Sequence, residues 1–320
     1  MSSDGNGTQG FRPNRIGVVG AGPVGCVVAA HLAHAGHEVV LCDVVPALLA
    51  PAMEPGIRVE GVGTEVVVGR VARTVQTVDE FAADPPELIF ITVKATALPL
   101  IASAIEAFHR PGVCVVSWQN GIDTEVVLAE HIPARWVYRA VVNLGVALPA
   151  PGRVHLAFHH PPHWLQGLEE ESAVEAEGIC ALLTAAGLPT RRAEKIVDKV
   201  WQKSILNAAL NPVCAVTGKT MSQVLHDPFL FEMVESLVKE GVQVARANEI
   251  NLGWDYYRYG MKYLESAGDH KPSMLVDIEN KRRTEVDYIN GRIVEFADRA
   301  GIAAPYNRMI RALVKAVEPG

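Results

Sequence analysis

Lys203, Asn207 and Asn211 recur every four residues, so on a helix they share one face with about 6 Å of rise per step. One ammonium and two amides in a line can donate and accept hydrogen bonds along a polar ligand. On a core-facing stripe the same groups would be costly to leave unpaired. On a merely solvated face asparagine has no reason to recur, because it is a mediocre helix former. The line therefore predicts a helix facing a cleft that takes a polar small molecule. Pro212 follows directly; lacking an N–H, it cannot bond the Ala208 carbonyl, which predicts a local kink beside Asn211.

A second pattern lies near the N-terminus. Gly20-Ala21-Gly22-Pro23-Val24-Gly25 follows an apolar run and opens a stretch of small apolar residues. Glycines so spaced allow a tight turn, close approach of backbone to a pyrophosphate, and intimate helix–strand packing. The helix N-terminus would add unbonded N–H groups and a positive dipole end for the phosphates. Asp43 stands eighteen residues beyond Gly25, at the end of the next apolar run. There it can accept hydrogen bonds from both adenosine ribose hydroxyls and repel a 2′-phosphate. No arginine stands beside it in LCDVVP. The expected cofactor is NAD(H) in preference to NADP(H); the bland alternative for Asp43 is a solvated strand-end acid.

These residues need elements to hold them. RIGVV (15–19) reads as a buried strand, the run to Ala35 as a helix with Gly36 as its C-cap, and HEVVLCD as a second strand. Strand, glycine turn, helix, strand is the first unit of a doubly wound sheet. GTEVVVGRV reads as a strand or hairpin, ELIFITVK as a buried strand, LPLIASAIEAF as a helix, and GVCVVSWQNG as a strand with its turn. Continuous runs such as IFITV suit a sheet covered on both faces. After Pro149 edge strands and a loop over 158–166 are expected. His159, His160 and His163 lack metal-ligand spacing there and read as a surface loop, so no metal is expected.

ESAVEAEGICALLTAAG has a helical pattern. Past residue 195 nearly everything does: KVWQKSILNAALNPVCAV, FLFEMVESLVKEGVQVARAN, SMLVDIENKRRTEVDYINGRIVEFADRAG and NRMIRALVKAV. The predicted fold class is an α/β Rossmann-type doubly wound N-terminal domain with a parallel sheet over 15–194, plus an all-α C-terminal domain over 195–320. Residues 1–14 read as a flexible tail, polar and Gly-rich, without a signal-peptide core.

Composition narrows the function. Of 320 residues 49% are hydrophobic and 20% charged, which is ordinary for a globular protein. A net charge of -7 argues against a nucleic-acid groove or an anionic membrane surface. No apolar run reaches the roughly eighteen residues of a spanning helix. Cys26, Cys42, Cys114, Cys180 and Cys214 are scattered, with no CxxC pair, which suggests reduced thiols in a cytoplasmic protein. The expected partner is a small-molecule substrate, with a homodimer left open.

Taken in order, several motifs resemble one family, the ketopantoate reductases (2-dehydropantoate 2-reductases), over nearly the whole chain after residue 15. They are the glycine motif, Ile91-Thr92-Val93-Lys94, Gln119-Asn120-Gly121, Lys203-Ser204-Ile205-Leu206-Asn207 with Asn211-Pro212, Ser273-Met274-Leu275-Val276-Asp277, Thr284-Glu285-Val286-Asp287 and Ile289-Asn290-Gly291. The resemblance implies hydride transfer between a nicotinamide cofactor and a small 2-keto acid, in a cleft between two domains. By matching positions it implies Lys203 as general acid and Asn207, Asn211 and Ser273 as substrate contacts. It implies that Asn120 touches both cofactor and substrate, and that Lys94, Ala147 and Glu285 lie by the cofactor. The chemistry is consistent: hydride addition leaves negative charge on the carbonyl oxygen, and a nearby ammonium can neutralise it.

The other charges around Glu285, Asp277 among them, read as i, i+4 surface pairing on one long helix. Two departures concern specificity. Many relatives that use NADPH have an arginine where this chain has Cys42-Asp43. Others have a substrate-binding asparagine where Met221 stands. With Trp118 and Trp164, these leave open a dehydrogenase of a bulkier hydroxy compound. A non-catalytic NAD(P)-binding sensor is the rival of another class, and the Lys203 line argues against it, since sensing needs no proton donor.

Overall fold

The computed structural model describes residues 11–63, 65–265 and 268–319. Residues 1–10 of the expected tail lie outside the described residues. Of the rest, Phe11 packs against the first core, and the Asn14 N–H donates to the Glu87 carboxylate at 2.6 Å.

The chain divides into two compact units. The first comprises 11–93, 98–119 and 125–194; the second comprises 94–97, 120–124 and 195–319. In the first, the strands are β1 (Arg15–Val19), β2 (Glu38–Cys42), β3 (Ile57–Gly61), β4 (Val67–Gly69), β5 (Arg73–Val75), β6 (Leu88–Ile91), β7 (Cys114–Ser117), β8 (Val137–Val141), β9 (Leu144–Ala150), β10 (Arg153–His159), β11 (His163–Gly167) and β12 (Thr190–Arg192). Its helices are α1 (Pro23–His34), α2 (Pro46–Pro51), α3 (Leu98–Glu106), α4 (Thr124–Ala129) and α5 (Ala173–Ala185).

The large sheet has the order β12-β11-β8-β7-β6-β1-β2-β5. The order reverses at β1, where the chain runs first outward to β2 and then back to β6. Crevices at the carboxyl ends of strands beside such a switch point are where ligands bind in this architecture. β6 (LIFI) and β7 (CVVS) are buried at every residue, as a sheet covered on both faces requires.

Two expectations about this region need correction. The sheet is mixed, since β11 runs antiparallel to β8. Residues 158–166 are mostly strand: β10 and β11 occupy both ends of the segment, and His163 is fully buried. The Asn143 N–H donates to His163 Nδ1 at 3.0 Å, and the His159 ring stacks on His163. Of the run GTEVVVGRV, the described strand is β4, which pairs with β3 in the sheet β4-β3-β10-β9; β5, at the edge of the large sheet, begins beyond the run. Alternation was too short in both places to reveal the partner strand, which tertiary pairing supplies.

The second unit is built from α6 (Ile196–Thr217), α7 (Met221–Leu225), α8 (Pro228–Ala247), α9 (Tyr256–Glu265), α10 (Ser273–Glu279), α11 (Arg292–Arg299) and α12 (Pro305–Val317). Among its described residues there is no strand. α6 is its axis, with α8, α10 and α12 packed around it. The single long helix expected from Ser273 onward is instead three pieces. α10 ends at Glu279, an irregular segment follows, and a five-residue π-type turn (Asp287–Gly291) leads into α11. No described helix is long and apolar enough to cross a membrane.

Candidate functional site

In the first unit the glycine motif makes the turn from β1 into α1. Gly20 has φ +107°, a conformation that glycine adopts without strain. A Cβ on Gly25 would lie 1.8 Å from the Gly20 carbonyl oxygen and 2.5 Å from Thr92 Oγ1, so only glycine lets α1 start this close to β1 and β6. Gly22 is the opposite case: nothing stands within 4 Å of where its Cβ would be. Gly22 is also the N-cap of α1, with no side-chain cap and with Pro23 at the start of the helix. An open backbone concavity at an uncapped helix N-terminus fits a pyrophosphate.

Asp43 ties this loop to β2. Its Oδ2 accepts the Ala21 N–H at 2.7 Å and its Oδ1 accepts the Val45 N–H at 2.9 Å. It is therefore more than a solvated strand-end acid, and each carboxylate oxygen retains acceptor capacity for a ribose hydroxyl. Cys26 donates its thiol to the Ala21 carbonyl at 3.2 Å, and burial, with the Asp43 charge, pushes that thiol up to about 12. It fills space and does no chemistry at neutral pH.

Two further positions of the first unit follow. Ser117 Oγ donates to Gln119 Oε1 at 2.7 Å, leaving the buried Gln119 Nε2 without a protein partner. Ala147 is exposed on β9, opposite His155, in the four-stranded sheet and not in the sheet that carries the glycine turn.

In the second unit Lys203, Asn207 and Asn211 all lie on α6. From Ser204 to Ala215 every residue is buried except Asn207, and Lys203 is the partly open position one turn earlier. Lys203 and Asn207 are thus the open positions of the line, and Asn211 is its buried end. Ser273 is exposed at the first residue of α10, which packs on α6. Met221 starts α7, where Thr220 and Gln223 form a capping box.

Lys94, Asp277 and Glu285 form one cluster in this unit. Lys94 Nζ donates to Asp277 Oδ2 at 2.6 Å and stands 3.8 Å from Glu285 Oε2. Glu285 Oε1 accepts the Ala95 N–H at 2.9 Å. Burial by itself would lower Lys94, but the Glu285 and Asp277 charges outweigh it and hold the ammonium above its ordinary value. Asp277 and Glu285 are buried; for Asp277 this corrects the surface-pairing expectation. Arg282 does bond Asp277 at 3.2 Å, but the carboxylate faces inward to Lys94. The helix breaks after Glu279, and Glu285 reaches the Ala95 backbone from beyond the break. Asp277 was missed; its signal was its place four residues beyond Ser273, on the same face of a helix.

Asn120 belongs to the short segment 120–124 of this unit. Its Oδ1 is buried with no partner in the protein, an acceptor suited to a polar ligand. Gly121 (φ +124°) lets the turn pass close to Tyr288: a Cβ would fall 2.9 Å from Tyr288 Cβ, and the Ile122 N–H donates to the Tyr288 carbonyl at 2.9 Å. Arg292 clamps the same turn through Asp123.

Comparison with known proteins identifies the family. Residues 16–167 match the family model described as ketopantoate reductase PanE/ApbA, and residues 195–318 match its C-terminal counterpart. The chain is 30% identical over 311 residues to the 2-dehydropantoate 2-reductase of Archaeoglobus fulgidus, covering 97% of this chain and 100% of that one. Among solved structures, a PanE/ApbA family ketopantoate reductase from Ralstonia eutropha superposes with a TM-score of 0.83 at 27% identity, covering 95% of this chain and 98% of that one. A D-mandelate dehydrogenase in ternary complex with NADH and anilino(oxo)acetate gives 0.85 at 27%, covering 95% and 97%.

Proposed function

The chain belongs to the ketopantoate reductase family, and from that premise we propose how its residues divide the work. It is an oxidoreductase that transfers hydride between a nicotinamide cofactor and a 2-keto acid. The observation that carries the assignment of roles is the opening at Lys203 and Asn207 in a helix otherwise enclosed from Ser204 to Ala215.

The turn Gly20–Gly25 and the start of α1 would hold the pyrophosphate, and Asp43 would accept from the ribose hydroxyls. A nicotinamide held there would supply the hydride. Lys203 Nζ donates a hydrogen bond to the substrate carbonyl oxygen, and then a proton as charge builds there. Asn207 and Asn211 orient the substrate along α6, and Ser273 and Asn120 add hydrogen bonds to it. In the oxidative direction the neutral Lys203 amine takes the hydroxyl proton back. Lys94 and Glu285, locked to Asp277 and to the Ala95 backbone, fix the segment 94–97 and shape the cofactor's surroundings.

Asp43 supports a preference for NAD(H), because a 2′-phosphate would meet a carboxylate with no arginine beside it. The five free and buried cysteines fit a reducing compartment, and we place the protein in the cytoplasm. The sensor alternative is not favoured, since it leaves the α6 line without a purpose. The direct test is turnover of NADH and NADPH with a panel of 2-keto acids, from 2-dehydropantoate to aryl-substituted ones, followed by nicotinamide absorbance. Absence of turnover with every member, with binding of NADH retained, would return the sensor reading.

A further inference from the structure

Pro212 lies inside α6, so the carbonyl four residues earlier, that of Ala208, loses the N–H that would bond it in the regular i→i−4 pattern. Ala208 is buried, and a buried carbonyl without a donor is destabilising. The missing donor comes from elsewhere in the chain: Asn290 Nδ2 reaches the Ala208 oxygen at 2.9 Å. Ala208 sits between Asn207 and Asn211, so this bond falls in the turn of α6 that carries both substrate amides.

The orientation of the Asn290 amide is set by a chain that ends on a charge. Glu240 is buried on α8 and, when ionised, can only accept. Its Oε1 takes the Asn307 N–H and Asn307 Nδ2, each at 2.7 Å, and its Oε2 takes the Tyr306 N–H at 2.9 Å. This carboxylate caps the N-terminus of α12 and turns the Asn307 amide so that its oxygen points away. Asn307 Oδ1 then accepts from Asn290 Nδ2 at 2.9 Å. The Asn290 NH2 group therefore faces Asn307 and Ala208 together, and its own Oδ1 is left buried without a partner. A network that strands an acceptor in order to serve Ala208 has been shaped around that carbonyl.

We propose that Asn290 is a positioning residue for the reaction: it supplies the hydrogen bond that Pro212 removes from α6 and so sets the register of Asn207 and Asn211 toward the substrate. Glu240 and Asn307 keep its amide the right way round. The proposal rests on the reading of α6 as the substrate-binding helix.

The test is a cycle between positions 290 and 212. Asn290→Ala should lower kcat/KM for the best 2-keto acid about tenfold, the order expected when a buried acceptor loses its partner, with the dissociation constant for NADH unchanged. Pro212→Ala restores a backbone N–H to the Ala208 carbonyl, so in that background Asn290→Ala should cost less than about threefold. Should Asn290→Ala fold only when combined with Pro212→Ala, that rescue supports the proposal equally. An equal loss of kcat/KM in both backgrounds, a loss that only tracks Tm, or failure of both proteins to fold overturns it. Lys203→Ala run in parallel keeps the two ideas apart. If Lys203→Ala retains full turnover, the reading of α6 falls; if it is inactive while the cycle shows no rescue, only the role of Asn290 falls.

Discussion

The glycine turn at the end of β1 and the polar line on α6 solve their problems by opposite means. The turn works largely through side chains that are missing: Gly25 lets α1 approach the strands, and Gly22 leaves room above the backbone. On the proposed reading the binding groups are N–H groups of the main chain, placed by local geometry within a few residues. The α6 region works through side chains present at a distance. Lys94 is held by Asp277 and Glu285, more than 180 residues later, and the Ala208 carbonyl is served from Asn290. A site made of local backbone tolerates no added atom, whereas a site made of distant side chains tolerates volume changes but not loss of a bonding partner.

The sharpest way to break this comparison is at Lys203. Lys203→Ala should lower kcat by roughly a hundred- to ten-thousand-fold, the usual yield of general acid–base catalysis. NADH affinity should stay nearly unchanged, because the groups assigned to pyrophosphate and ribose belong to the first unit. Fluorescence titration against turnover separates the two, and a variant that keeps most of its turnover refutes the assigned proton donor.

Next in size is the choice of cofactor. Asp43 should make kcat/KM for NADH exceed that for NADPH by roughly thirty- to a thousand-fold, from about 2–4 kcal/mol of lost charge-assisted hydrogen bonds and added repulsion. Asp43→Asn should narrow the gap while keeping an acceptor for the Ala21 N–H. Equal use of both cofactors by the unmodified protein sinks the ribose assignment.

The Gly25→Ala substitution tests the missing-atom half of the argument. Its Cβ would fall 1.8 Å from a carbonyl oxygen, so α1 must shift, and NADH should bind roughly five- to a hundred-fold more weakly, from the ~1–3 kcal/mol typical of overpacking. Gly22→Ala has room in the free protein and should weaken NADH binding while leaving Tm nearly as it was. If Gly22→Ala binds NADH normally, the open space above the turn is not the pyrophosphate site.

Lys94 gives a smaller effect with a defined pH sign. Its folded-state value is held above the ordinary 10.5 by Glu285 and Asp277 against the cost of burial. The stabilisation is therefore complete below pH 10.5 and lost as pH rises through the folded value. Lys94→Met should lower Tm across neutral pH and close the difference from the unmodified protein in strong alkali. A Tm difference that persists unchanged above that range would mean the ion pair contributes nothing.

The smallest expected response is that of the thiols. Burial pushes all five cysteines up to about 12. A chromogenic disulfide reagent at pH 8 should therefore react slowly with the folded protein and with all five thiols once it is denatured. Rapid titration of one thiol in the native state would point to an open cysteine that the fold does not contain.

Much of this was written in the chain itself. The glycine spacing with its flanking apolar runs determined a doubly wound unit, because a tight turn, a close helix and a continuous buried strand are each local demands. The four-residue recurrence of Lys203, Asn207 and Asn211 likewise determined a shared helix face. Tertiary structure alone decided the rest. Asp277 read as a surface charge because nothing nearby in sequence says that it will meet Lys94. His163 read as loop because the strands that β11 joins lie more than twenty residues away on either side. The long helix expected from Ser273 divides, and beyond the break Glu285 and Asn290 reach the Ala95 amide and the Ala208 carbonyl. Periodicity reports which face of an element is apolar, while the partner of a buried charge or an unpaired carbonyl is chosen only when distant segments are packed together.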